Sequence, residues 1–140
     1  KELPEKTEEI VSCELTPVQR KAYRSWLSSS EAEKIREDLG SDTKKVDYAS
    51  ILALLTRLKQ VCDHPRLPDV STGKVKKISV LDPADSGKWE ALEELMTEAL
   101  GSNLKVVVFT QYLGMIDLIC HWLAEHGIGH TELRGDTPDR

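Results

Sequence analysis

The sequence predicts an α/β protein, with a parallel sheet and flanking helices in the C-terminal half and a more helical N-terminal half. Residues 106–109 form a continuous apolar run of strand length, typical of a strand buried on both faces of a parallel sheet. A helical pattern over residues 113–126 follows, and residues 129–133 read as a second strand. Strand, helix and strand joined by short loops predict a right-handed βαβ unit.

The N-terminal half carries clear helix signals. Thr16 can be an N-cap, Pro17 suits the first helical position, and Gln19 completes a T-x-x-Q capping box. Residues 48–62 predict the strongest helix, because apolar side chains recur at three- and four-residue spacing, and Pro65 ends it.

Weaker elements lie between these helices. Residues 10–15 predict a short strand and residues 31–38 a helix. Residues 66–85 predict a surface loop with at most a short strand at 78–81, because prolines, a glycine and few apolar side chains occur there. Ser86 can cap a helix that Gly101 ends.

Composition limits the class of protein. The chain has 140 residues, of which 39% are hydrophobic and 31% charged, so it suits one small domain or part of a larger one. No apolar run approaches the roughly 20 residues of a membrane span, so we expect no membrane partner and a cytoplasmic location, or a nuclear one in a nucleated cell. The 3 scattered cysteines predict reduced thiols rather than a disulfide framework.

Charge is distributed unevenly. The net charge of −5 does not indicate a nucleic-acid-binding protein. Residues 57–77, however, contain six lysines and arginines against two aspartates, a local charge of +4. A solvated basic loop and a phosphate-facing patch explain this stretch equally well.

Loops at the carboxyl ends of parallel strands are where ligands bind in open sheets. After residues 106–109 that loop contains Thr110 and Gln111, whose hydroxyl and amide suit phosphate oxygens next to a helix N-terminus. A simple capping role for Thr110 is the alternative.

The second predicted strand is followed by Arg134, Gly135 and Asp136. Arg134 could bind a phosphate and Gly135 would allow close backbone approach, although a bare turn with a solvated arginine is equally consistent. Lys88, in the first turn of its helix, opposes the helix dipole and is a weaker candidate for an anion site.

Several recognised motifs are missing. The sequence contains no GxxxxGK[ST] phosphate loop and no Asp-Glu pair after a strand that would hold magnesium. Cys62 and His64 lie close together, but the sequence has no second cluster to complete the about four ligands of a zinc site. We therefore predict no catalytic residue and no metal site in this chain.

Five collinear segments resemble the Swi/Snf-type ATPases of helicase superfamily two. Residues 3–23 look like the entry into that family's second lobe. Residues 54–67 resemble its Leu-Arg-x-x-Cys-Asn-His-Pro helix, with Asp63 where asparagine is usual. Ser86-Gly87-Lys88 opens a matching helix, VVVFTQY at 106–112 resembles motif IV, and LRGDTPDR at 133–140 resembles the segment that follows it.

The resemblance implies a double-stranded DNA translocase whose two lobes close on ATP and magnesium, with the first lobe of the same chain as a partner and a protein–DNA complex as a possible substrate. It also implies a partial RecA-like parallel sheet preceded by a helical insertion. Residues 1–85 would hold the entry strand and helical segments, and residues 86–140 the start of a core that stops before motifs V and VI.

On this resemblance, Thr110, Gln111, Arg134, Gly135, Asp136 and Lys88 would contact DNA phosphates. The motor would be an ATP hydrolase, but this chain alone should be inactive and bind no cofactor. The interpretation requires parallel pairing between residues 106–109 and 129–133, with both following loops at one edge.

Two other interpretations remain open. One is a lobe of an RNA helicase of the same superfamily, against which the Cys-Asp-His-Pro and Ser-Gly-Lys segments argue. The other is a self-contained α/β interaction module with no nucleotide role, which we would not expect to stop just after a buried strand.

Overall fold

The computed structural model describes residues 5–41 and 47–135. Within these ranges the chain forms six α-helices and two short 3₁₀ turns. No helix in these ranges is long and apolar enough to cross a bilayer. The helices are α1 (Pro17–Leu27), α2 (Ser30–Leu39), α3 (Tyr48–Asp63), α4 (Leu67–Ser71), α5 (Trp89–Gly101) and α6 (Leu113–Glu125), with 3₁₀ turns at Ile78–Val80 and Pro83–Asp85.

Local capping determines where the first three helices begin. The Thr16 hydroxyl accepts a hydrogen bond from the Gln19 N–H at 3.1 Å, and the Gln19 carboxamide oxygen accepts one from the Thr16 N–H at 3.0 Å. This reciprocal pair is the predicted capping box. Ser29 and Asp47 cap α2 and α3 through single bonds to the N–H groups of Ala32 and Ala49.

The first hydrophobic core lies among α1, α2 and α3. Ala32, Leu54 and Leu58 are buried there against partly buried aromatic and aliphatic side chains of α1 and α2. Arg57 closes one side of this core, because its guanidinium stacks over Trp26 at 4.9 Å from the ring centroid and pairs with Glu31. This small core explains why a weakly apolar α2 is still helical.

A second core lies among α4, α5, α6 and the 3₁₀ turns. Trp89 of α5 meets Trp122 of α6 edge to face, with ring centroids 5.9 Å apart. Leu118 is almost completely buried at the centre of α6. Gly127 ends this helix with a φ of 65°, the left-handed conformation that glycine adopts without strain.

The predicted α/β class is wrong. The described residues contain no strand, and no backbone hydrogen bond joins residues 106–109 to residues 129–133. The required parallel pairing is therefore absent from the described chain, and the prediction of a partial RecA-like sheet fails with it. Val107 and Phe109 are 74% and 91% exposed, so this apolar run is not buried on both faces.

The physical reason is that a strand exists only through its partners. Backbone N–H and C=O groups of an extended segment need neighbouring strands, and apolar alternation alone does not supply them. A short apolar run is also consistent with several structures, so its composition does not specify pairing. Here α5 and α6 pack against each other through Trp89 and Trp122 instead of covering a sheet.

The other predicted strands are wrong for the same reason, whereas most of the helices are confirmed. The helix after Ser86 begins at Trp89 with Lys88 as its N-cap, and the predicted surface loop at 66–85 contains the partly buried helix α4. Residues 10–15 have no regular secondary structure, and residues 10–14 are exposed, with Ile10 at 93%. Residues 78–80 form a 3₁₀ turn instead of a strand. The predicted helices over residues 48–62 and 113–126 match α3 and α6 within one residue at each end. The predicted division of the chain at residue 85 stays a prediction.

A buried polar junction joins the two cores, and Gln19 is at its centre. The Gln19 side chain is fully buried. Its amide nitrogen donates to the carbonyls of Val61 and Cys62 at 2.9 and 3.1 Å, and its oxygen also accepts from the Gly87 N–H at 2.9 Å. With the Thr16 bond, both donors and both acceptor sites of the amide are used. The end of α3, the start of α1 and the segment before α5 are thereby held together.

His64 is the second polar side chain buried near this junction. Its Nε2 bonds the Asp82 carbonyl at 2.9 Å, and its Nδ1 accepts from the Arg66 N–H at 3.2 Å. A carbonyl only accepts and an N–H only donates, so the ring is neutral with its proton on Nε2. Burial lowers the pKa of His64 below its usual range.

The free energy of unfolding should depend on pH because of His64. In the unfolded chain His64 takes up a proton below about pH 6.5, while the folded chain resists protonation. The unfolded state then binds more protons than the folded state. The contribution of His64 to stability is therefore complete above about pH 6.5 and is lost as the pH falls toward its lowered folded pKa. We expect the free energy of unfolding to fall by at most about 1.4 kcal/mol per pH unit in this window.

Urea unfolding between pH 5 and pH 7 measures this effect. His64→Gln should flatten the profile, whereas His130→Gln, at an exposed position, should keep the original slope. An unchanged slope in His64→Gln would contradict the assignment.

Candidate nucleic-acid interface

A cleft of about 470 Å³ opens between the end of α3, the start of α5 and the segment that leads into α6. We call it the Lys88 cleft. Its polar lining residues come from three separate stretches of the chain, and the junction around Gln19 joins two of them, the end of α3 and the segment before α5. They are Lys59, Cys62, Asp63, Ser86, Lys88, Thr110 and Gln111.

Lys88 is anchored at this cleft by the residues around it. It is the N-cap of α5, and its ammonium donates to the Asp63 Oδ1 at 2.6 Å. This hydrogen bond raises the pKa of Lys88, so the side chain is charged at neutral pH. Ser86 supports both partners, because its hydroxyl donates to the Asp63 carbonyl at 2.5 Å and accepts from the Lys88 N–H at 3.3 Å.

Thr110 and Gln111 lie on the other wall, just before α6. The Thr110 hydroxyl accepts a weak hydrogen bond from the Tyr112 N–H at 3.4 Å. α6 is capped by Tyr112, without a side-chain cap bond, so Thr110 is not the N-cap residue. Its hydroxyl and the exposed Gln111 amide therefore line the cleft, where they can bind a ligand.

The remaining walls are apolar. Trp89, Leu92, Met115, Ile119 and Phe109 line the cleft beside the polar side chains. The cleft therefore combines two lysines, a hydroxyl and an amide with apolar side chains.

Arg134 is not part of this cleft. Its guanidinium pairs with Glu132 at 2.8 Å and with Asp117 at 2.5 Å. Hydrogen bonds to these two carboxylates raise the pKa of Arg134 above its usual value, and in the same way the arginine lowers the pKa of Glu132. Two acidic partners compete with any phosphate for this side chain.

The structure thus brings together three of the six predicted site residues, namely Lys88, Thr110 and Gln111. Gly135 is exposed next to Arg134, away from the lining of the cleft. Asp136 lies outside the described residues. Of the six basic residues at 57–77, only Lys59 lines the cleft, whereas Arg57 pairs with Glu31 and Arg66 lies 3.6 Å from Asp69.

Sequence reasoning missed two residues of the cleft, Lys59 and Asp63. They lie four residues apart on α3 and so share one face of that helix. This spacing is visible in the sequence. It predicts that Lys59 of the basic stretch and Asp63 of the Cys-Asp-His-Pro segment share one helix face. What the sequence could not reveal is that this face meets Lys88, 25 residues further on.

The cleft provides binding chemistry. Ammonium, hydroxyl and amide groups are the donors that hold phosphate oxygens in nucleic-acid interfaces. Among the described residues, no group of three or more histidine, cysteine, aspartate or glutamate side chains could hold a metal ion. The arrangement therefore suits a bound anion.

Comparison with known proteins shows that the chain is similar in sequence to one class of proteins. Residues 1–67, just under half of its 140 residues, match the model of the SNF2-related domain. This match and the relatives described next support the Swi/Snf helicase-like superfamily as the class of this chain. The matched residues end before the Ser-Gly-Lys and motif IV segments.

Several curated proteins are similar over most of the chain. The DNA excision repair protein CSB of Oryza sativa subsp. japonica is 28% identical over 137 residues, which cover 98% of this chain and 11% of that protein. The Protein CHROMATIN REMODELING 5 of Arabidopsis thaliana is 29% identical over 143 residues, covering 98% of this chain and 8% of that protein. The DNA repair and recombination protein RAD26 of Saccharomyces cerevisiae is 30% identical over 119 residues, covering 85% and 10%.

This chain thus spans about a tenth of the length of these relatives. No solved structure matches it significantly.

Proposed function

We propose that this chain is a segment of the second ATPase lobe of a Swi/Snf-type DNA translocase and contributes contacts to the backbone of double-stranded DNA. The order of its five segments supports the second-lobe position. The relatives are named for DNA repair and chromatin remodelling, which supports DNA as the partner and the nucleus as the location. ATP and magnesium would bind in the two-lobed protein, with the first lobe as the immediate partner.

One observation carries the proposal. Lys88, Thr110 and Gln111, three residues suited to phosphate oxygens, lie on one cleft although more than 20 residues separate the lysine from the other two. The parallel pairing that the sequence interpretation required is absent from the described residues, so the proposal rests on this cleft and on the order of the five segments. The junction around Gln19 holds together the stretches that carry Asp63 and Lys88.

Local charge makes the cleft suitable for DNA despite the acidic chain. The net charge of −5 disfavours non-specific binding to a polyanion. At the Lys88 cleft, however, Lys59 and Lys88 stand against the single carboxylate of Asp63. Contacts of this kind are independent of base sequence and weaken as salt displaces the protein from the phosphates.

Removing the lysine charge tests the interface. In the two-lobed ATPase that contains this segment, Lys88→Gln should weaken binding to a mixed-sequence duplex severalfold at low salt. It should also reduce the slope of log affinity against log salt by about one, because one phosphate contact is lost. Fluorescence anisotropy with a labelled duplex across a salt series measures both. Lys76→Gln, an exposed lysine outside the cleft, is the matched control and should change neither.

ATP hydrolysis tests the assignment to a motor. The two-lobed protein should hydrolyse ATP faster with duplex DNA, and the 140-residue chain alone should not turn over ATP. Turnover by the chain alone would contradict the assignment of roles. Stimulation by duplex RNA but not by DNA would favour an RNA helicase lobe, and stimulation by neither would favour an interaction module.

A further inference from the structure

The ion pair between Asp63 and Lys88 joins two helix ends whose charges are unfavourably placed. Asp63 is the last residue of α3, where a negative charge opposes the helix dipole, and Lys88 caps the start of α5, where a positive charge opposes it. Neither charge stabilises its own helix. Each is stabilised by the other, across 2.6 Å.

The backbone around the pair prevents the two groups from drifting apart. Ser86 bonds both the Asp63 carbonyl and the Lys88 N–H, and the Gln19 amide fixes neighbouring backbone at Cys62 and Gly87. These bonds hold the backbone of Asp63 next to that of Lys88.

The two partners differ in their access to solvent. The Asp63 side chain is 21% exposed and the Lys88 side chain 60% exposed. The carboxylate thus approaches the ammonium from the protein side, and the outer side of the ammonium faces solvent, where a phosphate can approach. A phosphate oxygen and the Asp63 carboxylate would then compete for the same three donors of one lysine.

We propose that Asp63 is an intramolecular competitor for phosphate at Lys88 and sets how strongly the cleft binds the DNA backbone. This inference rests on the proposed function. Because an ion pair this exposed is weak, the competition is modest, and removing the carboxylate charge should strengthen duplex binding by about two- to fivefold. The salt slope should become steeper, because Lys88 then neutralises phosphate instead of Asp63.

A double-mutant cycle in the two-lobed protein tests this proposal. Asp63→Asn keeps the shape of the side chain and removes its charge. It should tighten binding of the labelled duplex in the wild-type background and have no such effect when combined with Lys88→Gln. Asp69→Asn is the matched control, because it removes a carboxylate paired with Arg66 outside the cleft and should leave affinity unchanged.

Each other result has a definite meaning. If Lys88→Gln weakens duplex binding and Asp63→Asn leaves it unchanged or weakens it, the proposed role of Asp63 as a competitor is refuted and the proposed function stands. If Asp63→Asn tightens duplex binding equally with and without Lys88, the effect comes from the net charge of the protein, and the competition at Lys88 is also refuted. If Lys88→Gln has no effect, the DNA contact itself fails. Thermal unfolding of every variant verifies that each is folded.

Discussion

Replacing Gln19 with alanine is expected to lower the free energy of unfolding of the chain by about 3–5 kcal/mol, since buried groups left without partners cost about 1–3 kcal/mol each. The substitution removes a fully buried amide and leaves the carbonyls of Val61 and Cys62 and the N–H of Gly87 without their partner. It also removes half of the capping box at Thr16.

Urea unfolding followed by far-ultraviolet circular dichroism measures this loss. Arg20→Ala is the matched control, because Arg20 is the next residue of α1, its side chain is 53% exposed, and its nearest acidic partner lies 3.9 Å away. We expect that control to change stability by no more than about 0.5 kcal/mol. A loss below about 1 kcal/mol in Gln19→Ala, no more than one average hydrogen bond, would mean that the junction does not hold the two cores together.

Gly87→Ala should produce the second large effect. A Cβ atom at Gly87 would lie 1.8 Å from the Glu14 carbonyl oxygen and 2.9 Å from its carbonyl carbon. Both are backbone atoms, so no side-chain rotation relieves the overlap, and one of the two segments must move. Overpacking of this kind costs about 1–3 kcal/mol and sometimes more, and here the displaced segment also carries the Gly87 bond to Gln19.

Gly101 provides the matched control for this substitution. It lies within α5 with nothing within 4 Å of its ideal Cβ position. Gly101→Ala should therefore be neutral or stabilising by up to about 1 kcal/mol, because alanine favours the helix. Thermal unfolding of both variants separates the two cases. Equal stability would show that the 14–16 and 86–88 segments do not pack as closely as the geometry indicates.

In the two-lobed protein, Gln19→Ala and Gly87→Ala should also weaken the proposed DNA contact at Lys88. The segment around Gly87 sets the start of α5, and Lys88 is the cap of that helix. A shift there would separate Lys88 from Asp63 and from the wall that carries Thr110. A change in duplex affinity in these variants is therefore expected to follow their loss of stability, unlike Lys88→Gln, which should leave the fold intact.

Local chemistry explains why the helices could be predicted. The capping box at Thr16 and Gln19, the apolar spacing of α3 and the glycine after α6 act within a few residues, so each is complete in the sequence. The strands could not be predicted in the same way. Residues 106–109 have the composition of a buried strand, but pairing needs partners elsewhere, and Phe109 is 91% exposed.

In the candidate site, too, local features could be predicted from the sequence and contacts between distant segments could not. Sequence alone selected Lys88, Thr110 and Gln111, because their residue types and helix-terminal positions suit phosphate. It also selected Arg134 as a phosphate ligand, although Glu132 is only two residues away. The second partner, Asp117, is brought to Arg134 only when α6 lies beside that segment. Gln19 was recognised in its local capping role only, and its bonds to Val61, Cys62 and Gly87 cross 42 to 68 residues.

By itself the sequence determined the bounds of α3 and α6 to within one residue, the resemblance to a motor family and the residue types able to hold phosphate. All of these depend on side chains close together in the chain. The tertiary structure alone decided that no strands pair within the described residues, that Asp63 holds Lys88 and that Arg134 is held by two carboxylates. These outcomes depend on which distant segments meet, and that is set by the packing of two small cores around one buried amide.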